Sequence, residues 1–361
     1  MTSNEFPVLR LCKRWWQPKI DTLKIMKETI FIFLLLSFLT KTVQIHAQSD
    51  EVKFLIDTTI SIMKNNAVNA NTVNWDTLRS NALMQAKNID NPYNLGFTIR
   101  YLYKSINDFH GAFFWKDSTF QWRHDEPVIS DSIMNEWKKG VQSITMVLEK
   151  NIGYLRIPSM PGGSKKDYDS KAQALNDSLC ILLNKNIKGI ILDARLDGGG
   201  AMFPMILGVK QLLSQGFLGS FRTKKKEDWF IKGNVFFIDT ILITEVKPKC
   251  NVNAPNIPIV ILVGPGTGSS GEFFLMAFKD RKNTILLGSQ TAGWVTVNTG
   301  IPINDTAFMN LSIGYGADRT GKMYKEALEP DITITSVDKF NDIANDGKVK
   351  AAIKWLKLHT Q

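Results

Sequence analysis

The segment PIVILVGPGTGSSGEFFLMAFK, from Pro258 to Lys279, constrains this chain's fold more than any other stretch. Ile259, Val260, Ile261 and Val263 form a short β-branched run, glycines at 264, 266 and 268 make a turn, and a helical pattern begins near Ser270. Strand, tight turn and helix in that order predict an α/β unit. A serine at such a turn meets unpaired backbone N–H groups and the positive end of the helix, which favour developing negative charge. Ser269 is therefore a candidate nucleophile. Two other readings fit the same letters. Ser269 and Glu272 have capping-box spacing, which would make the serine only a helix start. Gly266, Gly268 and Gly271 spell GxGxxG, but the next strand, 284–287, runs into Gly288, Ser289 and Gln290 with no acid to hold a ribose. No GK[ST] follows, so a phosphate loop is excluded.

A chain of 361 residues that is 44% hydrophobic and 22% charged has the composition of a globular protein with a large core. Residues 1–48 are expected to stand apart from it. From Met26 the sequence gives Lys27, an apolar run from Ile30 to Leu39, then small and polar residues to Ala47 and Gln48. That is a signal-peptide pattern with a possible upstream extension, Met26 being an alternative start. Its apolar core of roughly ten residues is short of the ~20 that a membrane span needs, so no stable span is expected after signal removal. Export places the protein in the periplasm or outside the cell. Seven of the 44 basic and three of the 34 acidic residues lie in this segment, which leaves a net charge of +6. The basic run at Arg222, Lys224, Lys225 and Lys226 adjoins Glu227 and Asp228 without interleaved aromatics, so it reads as a hairpin tip and not as a nucleic-acid site. Cys180 and Cys250 could pair in an oxidising compartment, and Cys180 fits an apolar helix face equally well. No metal-ligand spacing occurs, and neither a metal nor a cofactor is expected.

Apolar spacing predicts about three helices between Asp50 and Ser105, a helical N-terminal domain over 49–112. It ends in INDFHGAFFW, where His110 precedes an aromatic strand-like run. His124 and His359 read as solvated, so His110 is the histidine available to partner a nucleophile. An irregular connection over 113–150 leads to an α/β core over 151–361. There NIGYLRIP, an amphipathic helix through Leu175 and Leu182, and the strand IKGIILDAR form a β-α-β unit, which DARLDGGG closes with glycines at 198, 199 and 200. Hairpins over 217–243, a Pro/Asn-rich linker, further strands and a C-terminal helix follow.

Two glycine turns after apolar strands and a distant histidine meet the requirements of acyl transfer. A serine needs a base within reach, and neutral imidazole suits because its ordinary pKa is about 6.5. Activity would then fall as the pH drops through about 6 to 7. Backbone amides would hold the tetrahedral oxyanion.

At this point the sequence resembles the C-terminal processing, or tail-specific, serine peptidases, related to tricorn protease and to retinoid-binding repeats. The resemblance rests on DFHGAFF (108–114), NIGYLRIPSM (151–160), GIILDARLDGGG (189–200) and VGPGTGSSGEFF (263–274), with EPDI (329–332) as a weaker fifth motif. It implies a crotonase-like twisted α/β core behind the helical domain, Ser269 as nucleophile, and oxyanion donors from the amides of Ser270, Gly198 and Gly199. Members with a lysine base carry it near the position held here by Trp294, and an indole N–H cannot accept a proton. The tricorn and nisin-resistance branch uses a histidine in a motif that DFHG matches, which implies a Ser269–His110 dyad. Gly111 replaces the usual serine after that histidine and Ala327 replaces a common glycine, so the orienting member is open between Asp108 and Glu326. Only about 42 residues separate His110 from Gly153, too few for the PDZ domain of many relatives. The expected function is an exported serine endopeptidase acting on peptides or protein C-termini. The alternative is an inactive member that binds a peptide or small molecule.

Overall fold

The computed structural model describes residues 49–360 apart from 124–126 and 150. The signal-peptide segment and His124 lie outside the described residues. Helices α1 (Asp50–Asn66), α2 (Trp75–Gln85) and α3 (Gly96–Ser105) carry the 3/4 spacing of the N-terminal region. Ser49 and Asn74 cap the first two by accepting from Val52 and Thr77 backbone N–H groups. Residues 113–150, expected to be irregular, are partly ordered. They include most of β1 (Ala112–Trp115), all of β2 (Ser118–Phe120), helix α4 (Asp131–Lys139) and β3 (Thr145–Leu148).

The β-α-β unit follows as β4 (Ile152–Arg156), α5 (Lys165–Leu183) and β5 (Gly189–Asp193). Helix α6 (Met202–Gly208) leads into a meander of β6 (Gly216–Arg222), β7 (Lys226–Lys232), β8 (Val235–Ile238) and β9 (Ile241–Glu245). Next come β10 (Ile259–Val263), α7 (Ser270–Met276), β11 (Thr284–Gly288) and the long pair β12 (Thr296–Asn304) and β13 (Ala307–Asp318). Short β14 (Met323–Tyr324) and β15 (Ile332–Thr333) and helix α8 (Gly347–His359) end the chain.

One six-stranded sheet has the order β15-β11-β10-β5-β4-β3, parallel except for β3. All five residues of β5 and all five of β10 are buried, which is why both read as unbroken apolar runs. Alternation divides them between two cores. Ile190, Leu192, Ile259, Ile261 and Val263 pack with α5, α6 and α7, while Ile191, Val260 and Leu262 pack with Val349, Ala352, Ile353 and Leu356 of α8. The other sheet is antiparallel, in the order β2-β1-β13-β6-β7-β8-β9, with β12 and β14 also on β13. The N-terminal helices bury Leu55, Ile56, Ile99 and Leu102 in one core with Phe113, Met309 and Leu311 of that sheet. The expected mixed α/β core behind a helical N-terminal region is what the structure shows.

Cys180 and Cys250, 70 positions apart in sequence, form a disulfide with Cα atoms 5.3 Å apart. It ties the linker before β10 to α5. Replacing both cysteines by serine is expected to lower stability by about 2–4 kcal/mol, because the unfolded chain regains the freedom that the closed loop denies it. Urea unfolding measures this, and an unchanged midpoint would show the bridge to be energetically idle.

Candidate active site

Parallel β5 and β10 are neighbours, so the glycine-rich turns that leave their carboxyl ends lie side by side. Side chains and backbone of the two turns lock together. Thr267 donates its hydroxyl to the Ala194 carbonyl at 2.8 Å, and Gly268 N–H donates to the Asp197 carbonyl at 3.0 Å. A Cβ on Gly199, whose φ is +111°, would stand 2.8 Å from Ser269 Cβ and 2.9 Å from the Gly268 carbonyl. Only glycine permits that approach.

Ser269 itself sits at φ +52°, ψ −120°, a left-handed backbone that a residue with a side chain adopts at a cost. The extended conformation of an ordinary N-cap is absent here. Glu272 supplies one half of the capping-box pattern by accepting from Ser269 N–H at 3.0 Å. The same buried carboxyl accepts from Thr291 Oγ1 at 2.5 Å and Gly293 N–H at 2.8 Å, so it ties the serine turn to the loop that carries Trp294. Burial, opposed by these donors, pushes Glu272 up to about 7. Ser270 N–H, in the first position of α7, has no acceptor four residues back. The Gly198 and Gly199 amides are already engaged, donating to Ser159 Oγ at 2.8 Å and to Asp197 Oδ1 at 3.1 Å.

Ser269 and Ser270 line a cavity of about 190 Å³ together with Gly200, Phe203, Phe273, Thr296 and Asn298. On the other flank of the turn a second cavity, about 100 Å³, lies between Gly198, Gly268, Trp137 and Trp294. A larger one of about 700 Å³ lies away from both, between α4 and residues 338–342. His110, in the loop between α3 and β1, is partly buried, and its Nδ1 is 2.8 Å from Oγ1 of the cavity residue Thr296. Its ring stacks on Trp294, with centroids 5.7 Å apart, and the Arg123 guanidinium lies 5.1 Å from the same indole. The surrounding protein and then the Arg123 charge push His110 down to about 4.

Asp108 does not touch the imidazole. Its carboxylate accepts from Gly111 N–H at 2.7 Å and from the N–H and hydroxyl of Ser312 at 2.9 and 2.7 Å. These bonds fix the His110 loop onto β13. Burial pushes the Asp108 carboxyl up even so. Glu326 is exposed, in a surface groove with Lys279 and Lys325, and takes no part in this hydrogen-bond set. Thr296, Asn298 and Ser312 carry no signal in the sequence. They come together only because β12 and β13 pair, Asn298 opposite Ser312, with a bulge between Val297 and Asn298.

The model of peptidase family S41 matches residues 151–334. The nisin-resistance protein of Lactococcus lactis is 29% identical over 269 residues, 74% of this chain and 76% of that protein. A carboxy-terminal-processing protease of Bartonella bacilliformis is 25% identical over 54% of this chain, a match that spans only 41% of the relative. Among solved structures, a lipoprotein from Streptococcus agalactiae aligns over 85% of this chain and 96% of its own, with a TM-score of 0.64 at 20% identity. A putative peptidase from Parabacteroides merdae aligns over 83% and 95%, with a TM-score of 0.56 at 17% identity. The two structures share the fold.

Proposed function

We propose that this chain, which belongs to peptidase family S41, is an exported serine endopeptidase that cleaves peptides or protein C-termini through an acyl-enzyme. The observation that carries the reading is the left-handed backbone of Ser269 at a strand-to-helix turn that opens on a cavity. Such strain persists where the surroundings over-determine it, and it clusters at reacting groups. Ser269 is the nucleophile and His110 the general base. The imidazole takes the Ser269 hydroxyl proton as Oγ attacks the substrate carbonyl, and returns it to the leaving amine; water then repeats the sequence on the ester. The Ser270 N–H is the oxyanion donor that is best supported, since it has no helical acceptor. Two observations support export to the periplasm or the cell exterior: the Cys180–Cys250 bridge and the leader-like N-terminus.

A base held near 4 is neutral throughout the physiological range, which alters the pH dependence expected from an ordinary histidine. The acid limb of kcat/KM is expected at about pH 4 and not at 6 to 7, because burial and Arg123 disfavour the imidazolium. Glu272 also titrates, near 7, so the profile is best compared with that of Glu272→Gln, in which the limb near 4 should persist. A limb that stays at 6 to 7 in both proteins would contradict the assignment of His110.

The engaged amides of Gly198 and Gly199 favour the second reading, a member that binds peptides without cleaving them. A fluorophosphonate probe separates the two. Covalent labelling of Ser269 supports the peptidase, and a folded protein that stays unlabelled supports the binding protein.

A further inference from the structure

Hydroxyl groups, not a carboxylate, face the side of the His110 ring that an acid would occupy in a direct triad. Oγ1 of Thr296 lies 2.8 Å from Nδ1, Ser312 Oγ lies 2.9 Å from Thr296 Oγ1, and Asp108 Oδ1 lies 2.7 Å from Ser312 Oγ. Each hydroxyl has one proton to give, so the directions can be worked out. Asp108 accepts from the Ser312 hydroxyl, and were Ser312 to turn its proton elsewhere, two acceptors would face each other at 2.7 Å. Besides His110 Nδ1 itself, Thr296 has two acceptors within 2.9 Å, Ser312 Oγ and Asn298 Oδ1, and the presence of two favours giving its proton to one of them. Either choice turns the Thr296 lone pairs toward His110.

We infer that Thr296 and Ser312 are positioning residues that link His110 to Asp108 and hold the imidazole in the tautomer with its proton on Nδ1, leaving Nε2 as the basic nitrogen. This rests on the proposed role of His110 as base and deepens it. It also bears on one departure noted in the sequence and on the choice of acid that the sequence left open. Gly111 stands where a serine is usual, and Glu326 lies out on the surface; the hydroxyls and the acid come instead from β12, β13 and the residue two before the histidine. Asn298 steadies the set by donating its amide to the His110 carbonyl at 3.4 Å. The Arg123 guanidinium disfavours imidazolium by its charge, while Asp108 reaches the ring through the two hydroxyls and also holds the backbone N–H groups of His110 and Gly111.

The test pairs a tautomer measurement with kinetics. In uniformly ¹⁵N-labelled protein, with the His110 signals assigned by their loss in His110→Gln, Nδ1 should carry the proton and Nε2 the lone pair. Thr296→Val keeps the shape and removes the acceptor; it should mix the tautomers and lower kcat by on the order of 10²-fold with KM little changed. Thr296→Ser, which restores a hydroxyl, should return kcat to within a few-fold of the wild type. A wild-type His110 protonated on Nε2 overturns the inference even if Thr296→Val fails to fold. So does a folded Thr296→Val with wild-type kcat and an unmixed tautomer, provided that Ser269→Ala is inactive. If the wild type shows no hydrolysis that depends on Ser269, the peptidase reading fails on its own, and the ¹⁵N spectrum still decides the tautomer.

Discussion

Ser269→Ala is expected to lower peptide hydrolysis by at least about 10² to 10⁴-fold without loss of fold, since in the proposed mechanism the hydroxyl forms the acyl bond. His110→Gln should fall in the same range. The double variant should be little worse than either, because two groups that act as a unit do not contribute additively. Ser269→Gly sharpens the test. The backbone at φ +52°, ψ −120° suits glycine and strains serine by an amount on the order of 1–3 kcal/mol. Glycine should therefore raise the unfolding midpoint while abolishing activity, the opposite signs expected when strain is kept at a reacting group. An active Ser269→Ala would end the serine mechanism, and a Ser269→Gly less stable than the wild type would show that the turn stores no strain.

The second large effect concerns a residue that never meets substrate. Arg195 is fully buried just after β5. It contacts Asp193 at 2.7 Å, Asp338 at 2.6 Å and Asp346 at 2.8 Å, and it lies 4.8 Å over the Phe340 ring. Asp193 also accepts from the Tyr154 hydroxyl, and Asp338 from Lys348. Burial raises the Asp193 and Asp346 carboxyls, yet Arg195 more than offsets this and holds both below their ordinary range. Arg195→Leu would leave those acids buried without their cation, and is expected to cost about 3–5 kcal/mol in urea unfolding. The sign of the pH dependence follows. Depressed carboxyls stabilise the folded state above their unfolded value near 3.8 and cease to do so as the pH falls through the folded values. The wild type should thus lose its advantage over Arg195→Leu in acid. The Arg195 carbonyl would stand 2.4 Å from a Cβ on Gly266, so the same change should disturb the serine turn and reduce labelling of Ser269. Equal stability at neutral pH would mean that the cluster relaxes or hydrates at little cost.

Much of the scaffold was legible because burial on both faces leaves a strong mark. The runs at 189–193 and 259–263 are unbroken apolar strands, and α5 shows a regular apolar face, so the central β-α-β unit and the serine turn could be placed from pattern alone. Strand pairing between distant segments could not. Ala112 lies opposite Asn310, and nothing local in either marks the other as its partner. That pairing brings Asp108 to Ser312 and so separates it from Glu326, two acids that the sequence left as equals. Thr296 and Ser312 were illegible for a related reason: a short hydroxyl residue in a strand looks the same whether it faces water or a histidine. The disulfide was open because a buried cysteine and a bridged one share an apolar setting. The reading of the glycine amides as oxyanion donors missed that side chains of Ser159 and Asp197 could take them first.

The segment matched by the family model begins at 151, and Ser269 lies within it while His110 lies before it. The proposed attacking oxygen is thus built into the parallel sheet, whereas the proposed proton acceptor arrives with the front helices and is pinned to β13 by Asp108. Catalytic competence in such a design depends on two halves of one polypeptide meeting, and a descendant could exchange its base by rebuilding the front half while the oxygen stays where it is.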